Sequence, residues 1–293
     1  MDVIKIKKSV NLKLATGNTG ARRPMIRGGR KCAFTRLDLC CTIVAVTVLL
    51  GLAVLNLTGE RGRIIQCTHN LKKLGQAMEE YAGNHGGGLP PASIEQAQAT
   101  WDTLITPYLR PDLVISNSAY AKRQLKAAVA PRFFCPSDSL VRPHARTYAM
   151  SGHDMQPENW PPNPGNATGV GLVWDRWHME RLQAAGVWNP TQTNGNTSAL
   201  VNLSWLPDPA NTVLLTELVC SYNQIGNPRA ATVTTTHQQL ELFQGDPARF
   251  HHGRFNYLMA DGHVELLSPF QTGNAGADNA DQSASIWTIK AGD

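Results

Sequence analysis

The chain has 293 residues, 42% of them hydrophobic and 17% charged, with a formal net charge of +5. Residues 1–33 hold nine of the 27 Lys/Arg and one of the 22 Asp/Glu, a net +8, so the remaining residues carry −3. A mildly acidic body argues against a nucleic-acid-binding surface, which needs a basic face, and no partner of that class is expected.

The basic leader, 1–33, is followed by "LCCTIVAVTVLLGLAVLNLTG", residues 39–59, in which 21 consecutive positions carry no charge. A bilayer core needs about 20 apolar residues of helix, and no small-residue cleavage site follows the run as in a cleaved secretory signal. The positive-inside rule places the basic N-terminus in the cytoplasm. The expectation is a single-pass protein of the inner membrane, its body on the extracytoplasmic side and membrane lipid among its partners.

In "RIIQCTHNLKKLGQAMEEYAGNHGGG" the less polar residues Ile64, Cys67, Leu71, Leu74, Met78 and Tyr81 recur at helical spacing, with Lys72, Lys73, Glu79 and Glu80 opposite. The spacing predicts one helix over 34–82, apolar all round and then amphipathic, stopped by the glycines that follow. Beyond a proline-rich loop, Trp101, Leu104, Ile105 and Tyr108 predict a short helix. "SAYAKRQLKAAVAPRFFCPSD" predicts a second short helix and then a strand ending at Cys135 and Pro136. Residues 150–200, rich in Asn, Gly, Pro and Trp, read as a long irregular insertion with a short helix near "DRWHMERLQAAG". "TVLLTELV" at 212–219 predicts a strand, and "SIWTI" in the polar tail a last one. The fold class expected is α+β: a long N-terminal helix packed on an antiparallel β-sheet, with long irregular insertions.

Six cysteines occur without a CxxC pair, which removes zinc-ribbon and thioredoxin-like readings. Cys67, Cys135 and Cys220 are open to two readings, buried free thiols or one disulfide with a thiol left over. Trp160, Trp174, Trp177, Trp188 and Trp205 cluster in and near the insertion, as packing residues or as a polymer-binding surface.

"RFHHGRFNYLMADGHVELL", 249–267, places His251, His252, Asp261 and His263 within thirteen positions. As a hairpin with a two-residue turn at Asp261 and Gly262, it pairs Ala260 with His263 and Tyr257 with Leu266, and puts Phe255, Tyr257, Met259, Val264 and Leu266 on one face. A straight strand then holds His251 about 33 Å from Asp261, too far to share an ion whose ligands lie about 2 Å away. Asp261 and His263 remain half a site at most. No metal, cofactor or catalytic residue is expected, and no GxSxG, HExxH or phosphate-loop context is present.

"AFTRLDLCCTIVAVTVLLGLAVL" resembles the N-terminus of type IV prepilins and type II secretion pseudopilins. "CTHNLKKLGQAMEEYAGNHGGGLPP", "FFCPSD", "TYAMSG", "ANTVLLTE" and the His251 to Asp261-Gly262 spacing resemble, in the same order, a bacterial pseudopilin-like family with a prepilin-type cleavage/methylation segment and a C-terminal H-X9-DG domain. The resemblance implies four segments: a leader at 1–33, the membrane half of the helix at 34–59, a pilin-like globular domain at 60–267 and a tail at 268–293. It implies cleavage after Ala33 by a prepilin peptidase and methylation of Phe34. Asp38 would be the assembly carboxylate, paired with the N-terminal amine of a neighbouring pilin-like subunit, since an intramembrane carboxylate is costly alone. His251, Asp261 and Gly262 carry the family signature. Ala33 stands where Gly is usual, Arg36 where an apolar residue is usual, and Asp38 where Glu is usual. These departures keep a second reading open, an uncleaved signal anchor carrying a binding domain.

Overall fold

The computed structural model describes residues 36–95, 99–112, 119–152, 169–174, 180, 200–273 and 285–287. They fall into two compact units, one ending at Leu49 and one beginning at Leu50. Helix α1 covers Arg36–Thr58. Leu37, Leu39, Ile43, Val44, Val46, Val48 and Leu49 are all more than half exposed. Two of its hydroxyls bond within the helix: Thr42 donates to the Leu39 carbonyl at 2.8 Å and Thr47 to that of Val44 at 2.9 Å. Among the described residues no helix is long and apolar enough to cross a membrane.

Helix α2, Glu60–Asn84, begins after Gly59, whose extended backbone (φ −75°, ψ 174°) breaks the helix expected to run unbroken over 34–82. The Gly59 carbonyl then accepts from the amides of Gly62 and Arg63 at 3.0 and 3.3 Å, so the break doubles as a cap. At the far end Gly86 and Gly87 take positive φ, and the Gly87 amide donates to the Ala82 carbonyl at 2.8 Å. Cys67, Leu71, Leu74, Met78 and Tyr81 are buried, as their spacing predicts, with Ala77 and Gly75 between them.

That face lies against a five-stranded sheet with strand order β6-β3-β5-β7-β8. The strands are β3 (Tyr148–Ser151), β5 (Val213–Glu217), β6 (Thr232–Val233), β7 (Phe255–Met259) and β8 (Val264–Leu267). Every pairing is antiparallel except β3 with β6. The short strands β1 (Ser93–Ile94), β2 (Ala99–Thr100) and β4 (Val173–Trp174) form a separate three-stranded sheet. The architecture is α+β, as expected.

The hairpin differs from its expected form by one residue. Tyr257 pairs with Glu265 and Leu258 with Val264. Ala260, Asp261 and Gly262 form a three-residue loop, closed by Gly262 N–H to the Met259 carbonyl at 2.9 Å and Met259 N–H to the His263 carbonyl at 2.9 Å. Only Gly262 has positive φ, 89°, so a type I turn is followed by a left-handed glycine. The expected two-residue turn rested on Asp261-Gly262 suiting a type I′ turn, with the alternation along β7 supporting that register. All five β7 residues are buried. Asn256 and Leu258 meet α2, while Phe255 and Tyr257 meet Phe243 and Trp287 on the other side.

Gly75 sets how closely α2 approaches. A Cβ there would lie 3.1 and 3.2 Å from the two Leu258 methyls. Gly75→Val is therefore expected to cost about 1–3 kcal/mol through overpacking, read as a lower urea midpoint with unchanged slope. No loss would mean the helix can ride up without penalty.

Helix α3, Trp101–Leu109, follows the predicted spacing. Helix α4, Ala119–Phe133, runs through Pro131 and replaces the strand expected before Cys135. The Pro131 and Phe134 carbonyls at its end accept from Asn70 Nδ2 of α2 at 3.2 and 3.0 Å. This supplies from another element what the helix end cannot bond itself. The last helix, α5, covers Thr236–Leu242. Ser285–Trp287 forms a turn instead of the expected strand, with Trp287 buried; its indole donates to Thr236 Oγ1 at 2.8 Å. The helix expected near "DRWHMERLQAAG", apart from Glu180, and Trp160, Trp177 and Trp188 lie outside the described residues.

Candidate functional site

Three consecutive residues before β7 adopt left-handed backbone: His251 (φ 47°), His252 (φ 58°) and Gly253 (φ 78°). Glycine does this freely, and histidine more readily than most residues, but each non-glycine instance costs about 1–3 kcal/mol unless its surroundings impose it. The excursion swings the His251 ring inward, where it is 0% exposed, and leaves His252 at the surface. His252→Gly is accordingly expected to stabilise the fold by up to about 1 kcal/mol, measured as a rise in the urea midpoint. A fall would show that the His252 ring contributes contacts of its own.

Each nitrogen of the His251 ring faces a carboxylate. Nδ1 lies 2.8 Å from Glu60 Oε1, at the start of α2, and Nε2 lies 3.1 Å from Glu217 Oε1, at the end of β5. Nε2 is also 3.2 Å from Cys135 Sγ, which is bonded to Cys67 in a disulfide. Glu217 is fully buried, and its second oxygen accepts from the Asn256 backbone amide at 2.7 Å and from Asn256 Nδ2 at 3.2 Å. Glu60 also accepts from Ser137 Oγ at 2.6 Å. The side chain of Glu60 is 20% exposed and lines a cleft of about 310 Å³ with Arg63, Ser137, Phe243, Asp246, Arg249 and Phe250.

The electrostatics follow from this geometry. Burial alone would lower the His251 pKa, but the hydrogen bond and charge of Glu217, and then those of Glu60, hold it above 6.5. Partial burial opposes the Glu60 carboxylate, yet Ser137 and then His251 keep its pKa below 4.5. Burial, then the Glu217 charge, pushes the nearby Tyr148 phenol well up.

A raised histidine pKa stabilises the fold fully below the unfolded value and loses that contribution as pH rises through the folded one. A depressed carboxylate does the reverse on the acid side. The melting temperature of the oxidised, metal-free protein is thus expected to peak between about pH 4.5 and 6.5 and to fall on the alkaline side. Thermal melts followed by circular dichroism check this. An alkaline decline unchanged in His251→Gln would assign it elsewhere.

The five stretches "CTHNLKKL", "FFCPSD", "TYAMSG", "ANTVLLTE" and "FHHG" meet at this cluster. They contribute in turn Cys67, Cys135 with Ser137, Tyr148, Glu217 and His251. Tyr148 Oη donates to the Cys67 carbonyl at 3.5 Å. The neighbouring Asp138 accepts from Arg142 Nη2 at 2.6 Å and Thr147 Oγ1 at 2.7 Å. Of the two readings open for the cysteines, Cys67 and Cys135 form the bridge and Cys220 is a buried free thiol.

The other expected site residues are placed apart. Asp261 accepts from the His263 amide at 3.0 Å and pairs with its ring at 2.6 Å on the exposed turn, away from His251 at the opposite end of β7. Gly262 is the left-handed residue of that turn. Asp38 lies in the first turn of α1, and Ala33 and Phe34 lie outside the described residues. His251 was expected at the strand start without chemistry of its own; the structure makes it the hub of the cluster. Glu60, Ser137 and Glu217 were not singled out by the sequence. The available signal was an acid closing the apolar run "TVLLTE", which a half-exposed strand would not need.

Chemically the cluster is a carboxylate–imidazole–carboxylate chain beside a disulfide. Ser137 donates to a carboxylate rather than to the imidazole, so the arrangement lacks the nucleophile–base contact of acyl transfer. It binds the turn before β7, through His251, to three other segments: the start of α2, the end of β5 and the loop after α4.

A family model described as "Protein of unknown function (DUF1559)" matches residues 60–195. That span begins at the first residue of α2 and includes Cys67, Cys135 and Ser137, but stops before Glu217 and His251. No curated protein and no solved structure matches the chain.

Proposed function

We propose that the chain is a membrane-anchored, pilin-like structural subunit of a type II secretion-like or type IV pilus-like envelope apparatus, processed by a prepilin peptidase after Ala33. The observation that carries this reading is the order of its first elements. An apolar helix, α1, is followed by an amphipathic helix, α2, whose buried face lies along an antiparallel sheet. The apolar run of the sequence extends over 39–59. Nine basic residues precede it, as an N-terminus held in the cytoplasm requires. Asp38 lies in the first turn of α1, and in this reading it serves as the assembly carboxylate.

N-terminal sequencing of the protein recovered from the membrane fraction tests this reading. A chain beginning at N-methylated Phe34 is expected. A chain beginning at Met1 or Asp2 would instead support the second reading, an uncleaved signal anchor carrying an extracytoplasmic binding domain. In that second reading the cleft of about 310 Å³ beside Glu60 is where a ligand would sit. Recovery in the soluble fraction would remove both.

A further inference from the structure

We propose that Cys67, Cys135, His251 and Glu217 bind a divalent cation of the zinc class once the Cys67–Cys135 disulfide is reduced. One buried site is thus closed either by a sulfur–sulfur bond or by a metal ion. Each of the four residues offers one ligand atom, all four are buried, and the atoms lie within 4.8 Å of one another. Two thiolates, an imidazole and a carboxylate are a donor set that suits zinc. Around a tetrahedral ion with bonds of about 2.0–2.3 Å, neighbouring ligand atoms stand about 3.3–3.7 Å apart. Nε2 of His251 is already 3.1 Å from Glu217 Oε1 and 3.2 Å from Cys135 Sγ.

The surrounding groups are those a metal site requires. Metal-binding histidines usually donate their second ring N–H to a carboxylate or carbonyl, which fixes the tautomer and aims the other nitrogen. His251 Nδ1 has that partner in Glu60 at 2.8 Å, and Glu60 is held in turn by Ser137 at 2.6 Å. Oε2 of Glu217 accepts from the Asn256 amide at 2.7 Å, while Oε1, with Asn256 Nδ2 at 3.2 Å, faces the histidine at 3.1 Å. Three atoms rich in lone pairs converge on one buried point. A divalent cation at that point would be bonded by all three.

A phosphine reductant opens the site: the sulfur–sulfur bond breaks, phosphorus takes an oxygen atom from water, and two thiols form. Each thiol then gives a proton to solvent as its sulfur bonds the ion, so two protons leave per ion bound to a chain whose His251 is neutral, and a third where the ring is protonated. The divalent charge offsets two of the three anionic ligands.

The test uses the full chain in detergent, oxidised or reduced with a phosphine, titrated with cobalt(II) as a spectroscopic stand-in for zinc. The reduced chain is expected to take up a single ion, with thiolate-to-cobalt charge-transfer bands and the intense visible bands of a tetrahedral site, and zinc should displace it. The oxidised chain should show neither. Cys67→Ser/Cys135→Ser, which keeps the other four cysteines, should also show neither. Glu60→Gln should keep the band shape while affinity falls about 10- to 100-fold. The proposal is overturned if the reduced wild type takes up no cobalt, or if the oxidised chain or the double serine variant takes up as much. Should reduction unfold the chain, recovery of its circular dichroism on adding zinc supports the site, and failure to recover rejects it.

Discussion

Replacing His251 with alanine is expected to lower the unfolding free energy of the oxidised protein by about 3–5 kcal/mol, because it strands Glu217 as a buried, uncompensated charge. Glu217 is 0% exposed, and its Oε1 faces His251 Nε2 at 3.1 Å. Among the described residues its remaining donors come from Asn256. The same substitution loosens Glu60 at the start of α2, which keeps Ser137 and Arg63 as partners. A surface histidine at a strand end would cost no more than about 0.5 kcal/mol, so urea unfolding separates the two placements cleanly. His251→Ala/Glu217→Gln should recover part of the loss, with a coupling energy of about 0.5–3 kcal/mol. A loss below about 1 kcal/mol for His251→Ala alone would show that His251 does not hold Glu217 in place.

Arg146→Met is expected to cost a similar 3–5 kcal/mol. Arg146 is fully buried over the Trp101 ring, 5.5 Å from its centroid. Its guanidinium donates to Asp102 Oδ1 at 2.8 Å, Asn223 Oδ1 at 2.6 Å, and the Asn227 and Ala230 carbonyls at 3.1 and 3.3 Å. Burial presses its pKa down and Asp102 opposes that. Asp102, itself buried, would keep the Thr100 hydroxyl and the Gly226 amide but lose its counter-charge. Arg146→Lys should fall close to Arg146→Met, because an ammonium cannot span the four acceptors of a planar fork. Arg146→Met/Asp102→Asn should lose less than Arg146→Met alone. If all three variants unfold at the wild-type urea midpoint, the network is not holding α3 to the loop at 223–231.

The two networks mark where the sequence stops being readable. Helix α2 was legible because one periodic apolar face was enough to specify it; Cys67, Leu71, Leu74, Met78 and Tyr81 are all buried. Strand β5 was legible as an apolar run between polar flanks. The register of β7 and β8 was not, because both faces of β7 are covered. Alternation then carries no information, and the choice between a two- and a three-residue turn falls to the left-handed Gly262. The break at Gly59 escaped the helical periodicity because an apolar-all-round segment has no phase to lose.

The nine-residue interval from His251 to Asp261 is partly a strand length, which the sequence showed. The reason a histidine begins it lies outside the interval, in Glu60, Cys135 and Glu217, which are 191, 116 and 34 residues away. By itself the sequence determined the charge asymmetry, the apolar segment, the amphipathic helix and the α+β class, because each depends on local composition or on a period along one chain segment. Only the tertiary structure decided which cysteines pair, which acids are buried and what His251 touches. Those contacts join segments whose spacing in the chain bears no relation to their distance in space.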